Sequence, residues 1–506
     1  MRDARRRSHT TGPVPLTIGL AALILLAAAC TVAIPPPDSA AEQRVIEQGA
    51  QYDEVITAQY GVYDDDELDA YVDRVGEKIA AVSEWPSLPW TFRVLDSSAV
   101  NAFAIPGGYV YVTRGLLAYM NSEAELAGVL GHEAAHVTGR HAAEQQRRAT
   151  LANVGLLLGS VVSEDFATYG LQTGLAQTAL SLTLLKYSRG QELESDEKGI
   201  GYAVAAGYDP SGIGSFFATL QALERERGGR GVPGWASTHP QIDDRIERSE
   251  RWAAAAIARS GVDVADLTVN RSGHIEHLDG VVFGDDPRQG FFRDHSFLHP
   301  ELRFRIDLPD DWQALNTRAA VQAVSPDEDA LMQLTLPQLD GRSRETYIRD
   351  FLDDIDAEVI DRDDRQVNGL WARQAHFTVA ANATEYEVLG TWVSYGNRLY
   401  QLLGVSTPAR YERFRSTFRA SFRTFDELRD RQALAVRPAR IEVVTPPRAM
   451  TLSVLLQRHP EVSAEPRTIA LINATTLESR LAPTGPVKLV QGDGLLLATT
   501  RPDGGG

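Results

Sequence analysis

Apolar residues recur every three or four positions between residues 42 and 82, and Leu68, Tyr71, Val72, Val75 and Ile79 fall on one stripe, which predicts helices that pack by that face. The period then shortens to that of strands. Residues 92–95 read as one strand and 99–112 as a hairpin turned at Pro106-Gly107-Gly108, its second arm rich in strand formers. Such a strand can take up an extended peptide by edge addition, which would leave Asn101 and Ala102 facing a substrate. Ser122 with Glu125 three residues on is a capping-box pattern, and Leu126, Val129 and Leu130 continue from it at helical spacing. Residues 151–185 are strongly apolar, but the unbroken part ends before Glu164 and Asp165 and is shorter than the roughly 20 residues of a spanning helix. A buried helical hairpin, or a mobile helix near the site, is expected there.

Beyond residue 265 the composition changes. Residues 279–290 read as a turn-rich linker. Strand patterns follow at 302–308, 331–336, 386–394 and 399–405, with helices at 344–355 and 408–422. Tyr411, Phe414, Phe418, Phe422 and Phe425 alternate with arginines, yet their spacing puts them on one core-facing stripe rather than on a nucleic-acid surface. Residues 440–490 read strand, helix, helix, strand. The fold class expected is α+β: a mainly helical first domain with a small sheet and an edge strand, then an α+β domain, then a small βααβ module. The boundaries are a signal at 1–29, a tether at 30–41, the first domain at 42–255, a linker at 256–290, the α+β domain at 291–428, the module at 440–490 and a disordered tail at 491–506.

Charge and cysteine content narrow the setting. A formal net charge of −18 favours solubility and argues against a nucleic-acid partner. The one cysteine, Cys30, excludes an intrachain disulfide. It follows a basic start (Arg2, Arg5, Arg6, Arg7) and an apolar stretch at 16–29. This resembles a bacterial lipoprotein signal, although Ala27 stands where such signals usually carry Leu. The resemblance implies lipidation at Cys30 and, with Thr31 rather than Asp after it, a periplasmic chain anchored to the outer membrane. Pro35-Pro36-Pro37 makes the tether a semi-rigid spacer.

The candidate chemistry begins at His132-Glu133-Ala134-Ala135-His136. On a helix the two histidines project from one face a turn apart and can share a metal ion, while Glu133 can reach a water on that ion. Gly139 and His141 nearly continue this as HExxHxxGxxH, but the third histidine of that pattern would stand at 142, which is Ala142. On a continued helix His141 is rotated about 900 degrees from His132 and faces away, so a surface position is expected. A catalytic zinc needs a third protein ligand and an open position. Glu192 and Asp196, four apart, supply a ligand and an acceptor for the ring N–H of a ligand histidine.

Three motifs in order, Asn101-Ala102-Phe103-Ala104-Ile105-Pro106-Gly107-Gly108, the HExxH run and Glu192-Leu193-Glu194-Ser195-Asp196, resemble metallopeptidase family 48. This gluzincin group includes the HtpX-like heat-shock proteases and the CAAX prenyl proteases; the likeness is to its soluble, periplasmic BepA-like (YfgC-like) branch. The resemblance implies one zinc ion per chain held by His132, His136 and Glu192, Glu133 as general base and Asp196 behind the ligands. Ser195 stands where the family usually carries Ala. Thr238-His239-Pro240 and Arg245 also match that branch, where the histidine approaches the metal. His239 is therefore expected to gate the open position or stabilise the transition state, and Arg245 to pair with acidic groups near the site.

The module at 440–490 weakly resembles LysM, a peptidoglycan binder, but Arg448-Ala449-Met450-Thr451 replaces its usual Gly-Asp-Thr. The expected function is a zinc endopeptidase of the cell envelope that degrades misfolded or stalled outer-membrane and periplasmic proteins. Its expected partners are protein or peptide substrates, the membrane through the anchor, and outer-membrane assembly machinery or peptidoglycan. The alternative is a latent, chaperone-like scaffold.

Overall fold

The computed structural model describes residues 40–145, 186–226, 235–239, 242–381 and 384–493. The signal, Cys30, nearly all of the tether, the apolar stretch at 151–185 and the tail from 494 lie outside the described residues. The chain divides into two units, Met1–Arg44 and Val45–Gly506, and the elements that position the site lie in the second.

Helix α1 spans Ala40–Tyr60 and α2 spans Asp66–Ala81. Asp65 caps α2 by accepting the Leu68 amide at 3.0 Å, and its predicted stripe is buried. Strands β1 (Thr91–Leu95), β2 (Ala102–Ile105) and β3 (Tyr109–Thr113) form a sheet in the order β1-β3-β2. β3 pairs with β1 in parallel and with β2 antiparallel, so β2 lies at one edge of the sheet. The hairpin turn needs its glycines, since Gly107 and Gly108 sit at φ of 95° and 93°.

After α3 (Arg114–Tyr119) comes α4 (Glu123–Thr138), every residue of which is buried. Ser122 accepts the Glu125 amide at 3.2 Å. The Glu125 carboxylate reaches back to the Asn121 amide at 2.8 Å, one residue further out than a reciprocal capping box. α5 (Arg189–Ala205) opens with a complete box between Ser188 and Gln191. It lies backbone to backbone against α4, because a Cβ on Gly131 would stand 2.8 Å from the Gly199 oxygen and one on Gly199 only 2.6 Å from the His132 nitrogen. That close approach carries the acidic face of α5 onto the histidines of α4. α6 (Gly212–Glu226), the short α7 (Trp235–Thr238), α8 (Ile242–Ser260) and α9 (Arg271–Glu276) follow.

The stretch expected as a linker, 256–290, is packed instead. α8 runs into it, α9 lies within it, and Leu278, Val281, Val282 and Phe283 are buried in the same core as α4. Arg114 fixes it further by donating to the Val282 and Gly284 carbonyls at 3.0 and 2.6 Å. Its turn residues mark direction changes, and burial of the apolar residues between them makes it part of the fold.

The next region holds β4 (Phe291–Arg293), β5 (Ser296–His299), β6 (Phe304–Asp307), β7 (Gln313–Asn316), β8 (Ala320–Val324), β9 (Ala330–Thr335), α10 (Arg344–Asp354), β10 (Glu358–Val367), β11 (Leu370–Ala381), β12 (Thr384–Tyr395), β13 (Arg398–Ser406), α11 (Pro408–Phe422) and β14 (Asp426–Glu427). A seven-stranded sheet runs β10-β11-β12-β13-β9-β8-β7, and a four-stranded one runs β14-β6-β5-β4. The stripe Tyr411, Phe414, Phe418, Phe422 and Phe425 is buried between them, which leaves no aromatic platform for bases.

After α12 (Arg431–Ala435) the last unit has β15 (Arg440–Val444), β16 (Met450–Thr451), α13 (Leu452–Arg458), α14 (Pro466–Ile472), β17 (Arg480–Leu481) and β18 (Val487–Gln491), with β15 and β18 antiparallel. It does not stand apart: Ile441, Leu452, Ile469 and Leu489 belong to the buried cluster that includes Leu126 and Leu130 of α4. Lys488 of β18 is fully buried and donates to the carbonyls of Ala118 and Met120 at 2.8 and 2.6 Å, just ahead of α4. Burial pulls its amine below the ordinary lysine value, with the Glu125 carboxylate opposing that shift.

Candidate metal centre

His132 and His136 leave α4 one turn apart, and their Nε2 atoms face each other at 3.0 Å. Glu192 of α5 brings its carboxylate oxygens to 3.8 Å from Nε2 of His132 and 3.6 Å from that of His136. His239, just past α7, places Nδ1 3.3 Å from His132 Nε2 and 3.0 Å from Glu192. One donor atom from each of these four buried residues lies within 4.8 Å of the others.

Behind them stands an ion-paired layer. Asp196 meets Nδ1 of His132 at 2.9 Å and accepts two bonds from Arg245 at 2.7 Å each. Arg245 also lies 2.8 Å from Glu192, and its guanidinium rests over the rings of Phe217 and Trp235 at 4.5 and 4.7 Å. An arginine can be buried here because carboxylates meet its fork and aromatic faces cover its plane. Burial alone would raise the Asp196 carboxyl, but Arg245 and His132 bring it down to about 2. Burial likewise raises Glu192, and His239 and Arg245 more than reverse that. Burial, then the neighbouring His132, holds His136 well below the usual histidine value.

These states fit a divalent cation. The Asp196 carboxylate at 2.9 Å can take the Nδ1–H of His132, which leaves Nε2 of that ring free to face a cation beside Nε2 of His136, 3.0 Å away. Two neutral imidazoles and one carboxylate are the donor set of a catalytic zinc site. Glu133 lies beside it. Its Oε1 accepts the indole N–H of Trp235 at 3.1 Å and has His239 Nε2 at 3.6 Å, while its Oε2 is buried without a hydrogen-bond partner.

The other site residues divide. Ala102 heads the edge strand with its side chain in the core, so only its main chain can meet a peptide. Asn101 donates its amide to Thr113 Oγ1 at 3.2 Å, and its side-chain oxygen is buried without a partner. The neighbouring Val100 carbonyl is taken by the Trp235 amide at 2.8 Å.

His141 is not at the surface. α4 ends at Thr138, Arg140 reverses the chain at φ 55°, and the buried imidazole returns to His136, Nδ1 to Nδ1, at 2.9 Å. The rotation argument assumed an unbroken helix. Pattern reading also missed Trp235, and it missed Tyr187, whose ring stacks on His136 at 3.9 Å and 24°. Their available signals were position alone: Trp235 one helical turn before His239, and Tyr187 five residues before Glu192.

Residues 66–253 match the model of peptidase family M48. The chain is 35% identical over 189 residues to the mitochondrial metalloendopeptidase OMA1 of Schizosaccharomyces pombe, which covers 37% of this chain and 53% of that protein. It is 33% identical over 185 residues to the beta-barrel assembly-enhancing protease of Yersinia pestis and 31% identical over 188 residues to that of Escherichia coli K12, in each case covering 35% of this chain and 37% of the relative. The chain thus spans about half or less of the length of these curated relatives. Among solved structures, the cyanobacterial PsbP (CyanoP) of Synechocystis matches 26% of this chain and 91% of its own, at 13% identity and a TM-score of 0.23.

Proposed function

We propose, from the premise that residues 66–253 of this chain are a peptidase family M48 domain, that the protein is a zinc-dependent endopeptidase of the cell envelope. The observation that carries this reading is the convergence of Nε2 of His132, Nε2 of His136 and the Glu192 carboxylate beside the unpartnered oxygen of Glu133. A bound zinc ion supplies Lewis acidity and acidifies a water molecule. His132, His136 and Glu192 hold it, and Asp196 and Arg245 fix His132. Glu133 takes the proton of the water that attacks the scissile carbonyl and delivers it to the leaving amine. The main chain of β2 at Asn101 and Ala102 aligns the substrate.

Two relatives bear the name beta-barrel assembly-enhancing protease, which supports misfolded or stalled outer-membrane proteins as substrates. A lipid on Cys30 would hold the enzyme at the outer membrane in the periplasm, near assembly machinery or peptidoglycan. A second reading, a restrained or scaffold-like state, is favoured by one observation: His239 sits within the donor set, where it fills the position a substrate needs.

Zinc content and cleavage of an unfolded protein, wild type against Glu133→Gln, test the proposal. One zinc per chain in both and cleavage by the wild type alone is the expected result. Cleavage by Glu133→Gln would overturn the assignment of the base, and a wild type without zinc would overturn the site.

A further inference from the structure

The two histidines of α4 are held from behind in different ways. Nδ1 of His132 faces a buried carboxylate, whereas Nδ1 of His136 faces the imidazole ring of His141. We propose that His141 is a positioning residue for the metal site, its Nδ1 accepting the Nδ1–H of His136 so that Nε2 of His136 points bare at the ion. The inference rests on the zinc reading above and concerns how one ligand is held.

Proton accounting fixes the direction of the bond. A neutral imidazole that binds a cation through Nε2 carries its single proton on Nδ1. Among the described residues the atom placed to take that proton is Nδ1 of His141 at 2.9 Å, which must then be bare, with its own proton on Nε2. That Nε2 lies 3.6 Å from Glu194 Oε2, and Glu194 is held by Lys198 at 2.9 Å, itself 2.9 Å from Glu84. The Ser195 hydroxyl also lies 3.3 Å from the Nδ1 of His141.

The surroundings hold the ring in place. His141 meets His136 nearly edge-on, with centroids 5.0 Å apart at 79°, while Tyr187 covers the face of His136. Contacts on edge and face together remove the rotation left to His136. Gly139 leaves the space for the return of the ring, since a Cβ there would stand 2.5 Å from His141 Nε2. Ser195 and Glu194 come from α5, which also gives Glu192 and Asp196, so one helix supplies the third ligand, the outer partner of His132 and the groups behind His141. The His136 arm differs in that its carboxylate is one ring further away and half-exposed, 47% for Glu194 against 0% for Asp196.

The test is zinc affinity by competition with a chromogenic chelator, comparing wild type, His141→Phe and His141→Gln. Phe fills the space without an acceptor and Gln restores one. Loss of an outer partner of this kind weakens zinc binding roughly ten- to a hundredfold, so Phe should show that loss and Gln should recover most of it. Unchanged affinity in His141→Phe overturns the inference, and so does a Gln variant as weak as Phe, which would make the role one of packing. Should His141→Phe not fold, histidine-selective nitrogen NMR of the zinc-loaded wild type decides: a protonated Nδ1 on His136 and a bare Nδ1 on His141 are expected, and a protonated Nδ1 on His141 overturns it. If the wild type takes up no zinc, the peptidase reading fails; if it does and the variants match it, only this inference fails.

Discussion

The indole N–H of Trp235 donates to Oε1 of Glu133 at 3.1 Å, so an aromatic residue on one short helix holds the carboxylate of another. A hydrogen bond to a charged group contributes about 1.5–3 kcal/mol, here to the orientation of the base. Trp235→Phe keeps the ring stack on His239 and removes only the donor. Its kcat should fall roughly tenfold with zinc content unchanged. Steady-state kinetics on an unfolded substrate check this, and a wild-type kcat would show that the bond does not orient the base.

His239 lies within the donor set, its Nδ1 3.0 Å from Glu192. Burial lowers the affinity of its ring for a proton, but Glu192 and Glu133 outweigh burial and raise it, so the ring is attracted to the acidic donors. His239→Ala should raise basal cleavage roughly tenfold, the ratio that corresponds to a closed arrangement favoured by about 1.4 kcal/mol. A fall in activity would assign the residue to the transition state instead.

Arg245 is the counter-charge of the buried site. Removing one partner of such a pair leaves the others uncompensated and costs about 3–5 kcal/mol. Urea unfolding of the metal-free chain should show a loss of that size for Arg245→Met, because Asp196 and Glu192 stay buried. A change under about 1 kcal/mol would mean that water reaches those carboxylates.

A titration remote from the metal sets the acid limit of the fold. His274 is buried between α9 and α2, its Nδ1 2.9 Å from the Tyr71 hydroxyl, and burial, with Lys488 nearby, pushes its pKa down to about 3. Below the ordinary value of about 6.5 the unfolded chain takes a proton that the folded chain refuses, so stability falls as pH falls, by about 1.4 kcal/mol per unit. Between about pH 7 and pH 5 the loss should be about 2 kcal/mol. His274→Leu should flatten that slope in urea titrations at the two pH values, and an unchanged slope would assign the acid sensitivity elsewhere.

Much of the first domain was legible because its signals are local. The capping residue of α4, the i, i+4 histidines and the glycine turn before β3 each act within a few positions, and the stripe on α2 repeats at the helical period. Signals that depend on tertiary neighbours were not legible. The reversal at Arg140 that brings His141 home depends on space at Gly139, and the core role of 278–283 depends on partners in the C-terminal unit. β10 escaped because an exposed edge strand filled with Asp and Arg lacks apolar alternation, and β7 because it is a four-residue edge strand.

The ammonium of Lys488 closes the two carbonyls ahead of α4, and it lies on the last strand described. Lys488 follows the Ala118 carbonyl by 370 residues, so the group that satisfies it is made well after the helix it supports. A nascent chain that already carries both histidines still lacks the group that satisfies those buried carbonyls. A chain that stops before β18 therefore leaves two buried carbonyls ahead of α4 without their donor, so the last strand described and the helix that carries both histidines stand or fall together.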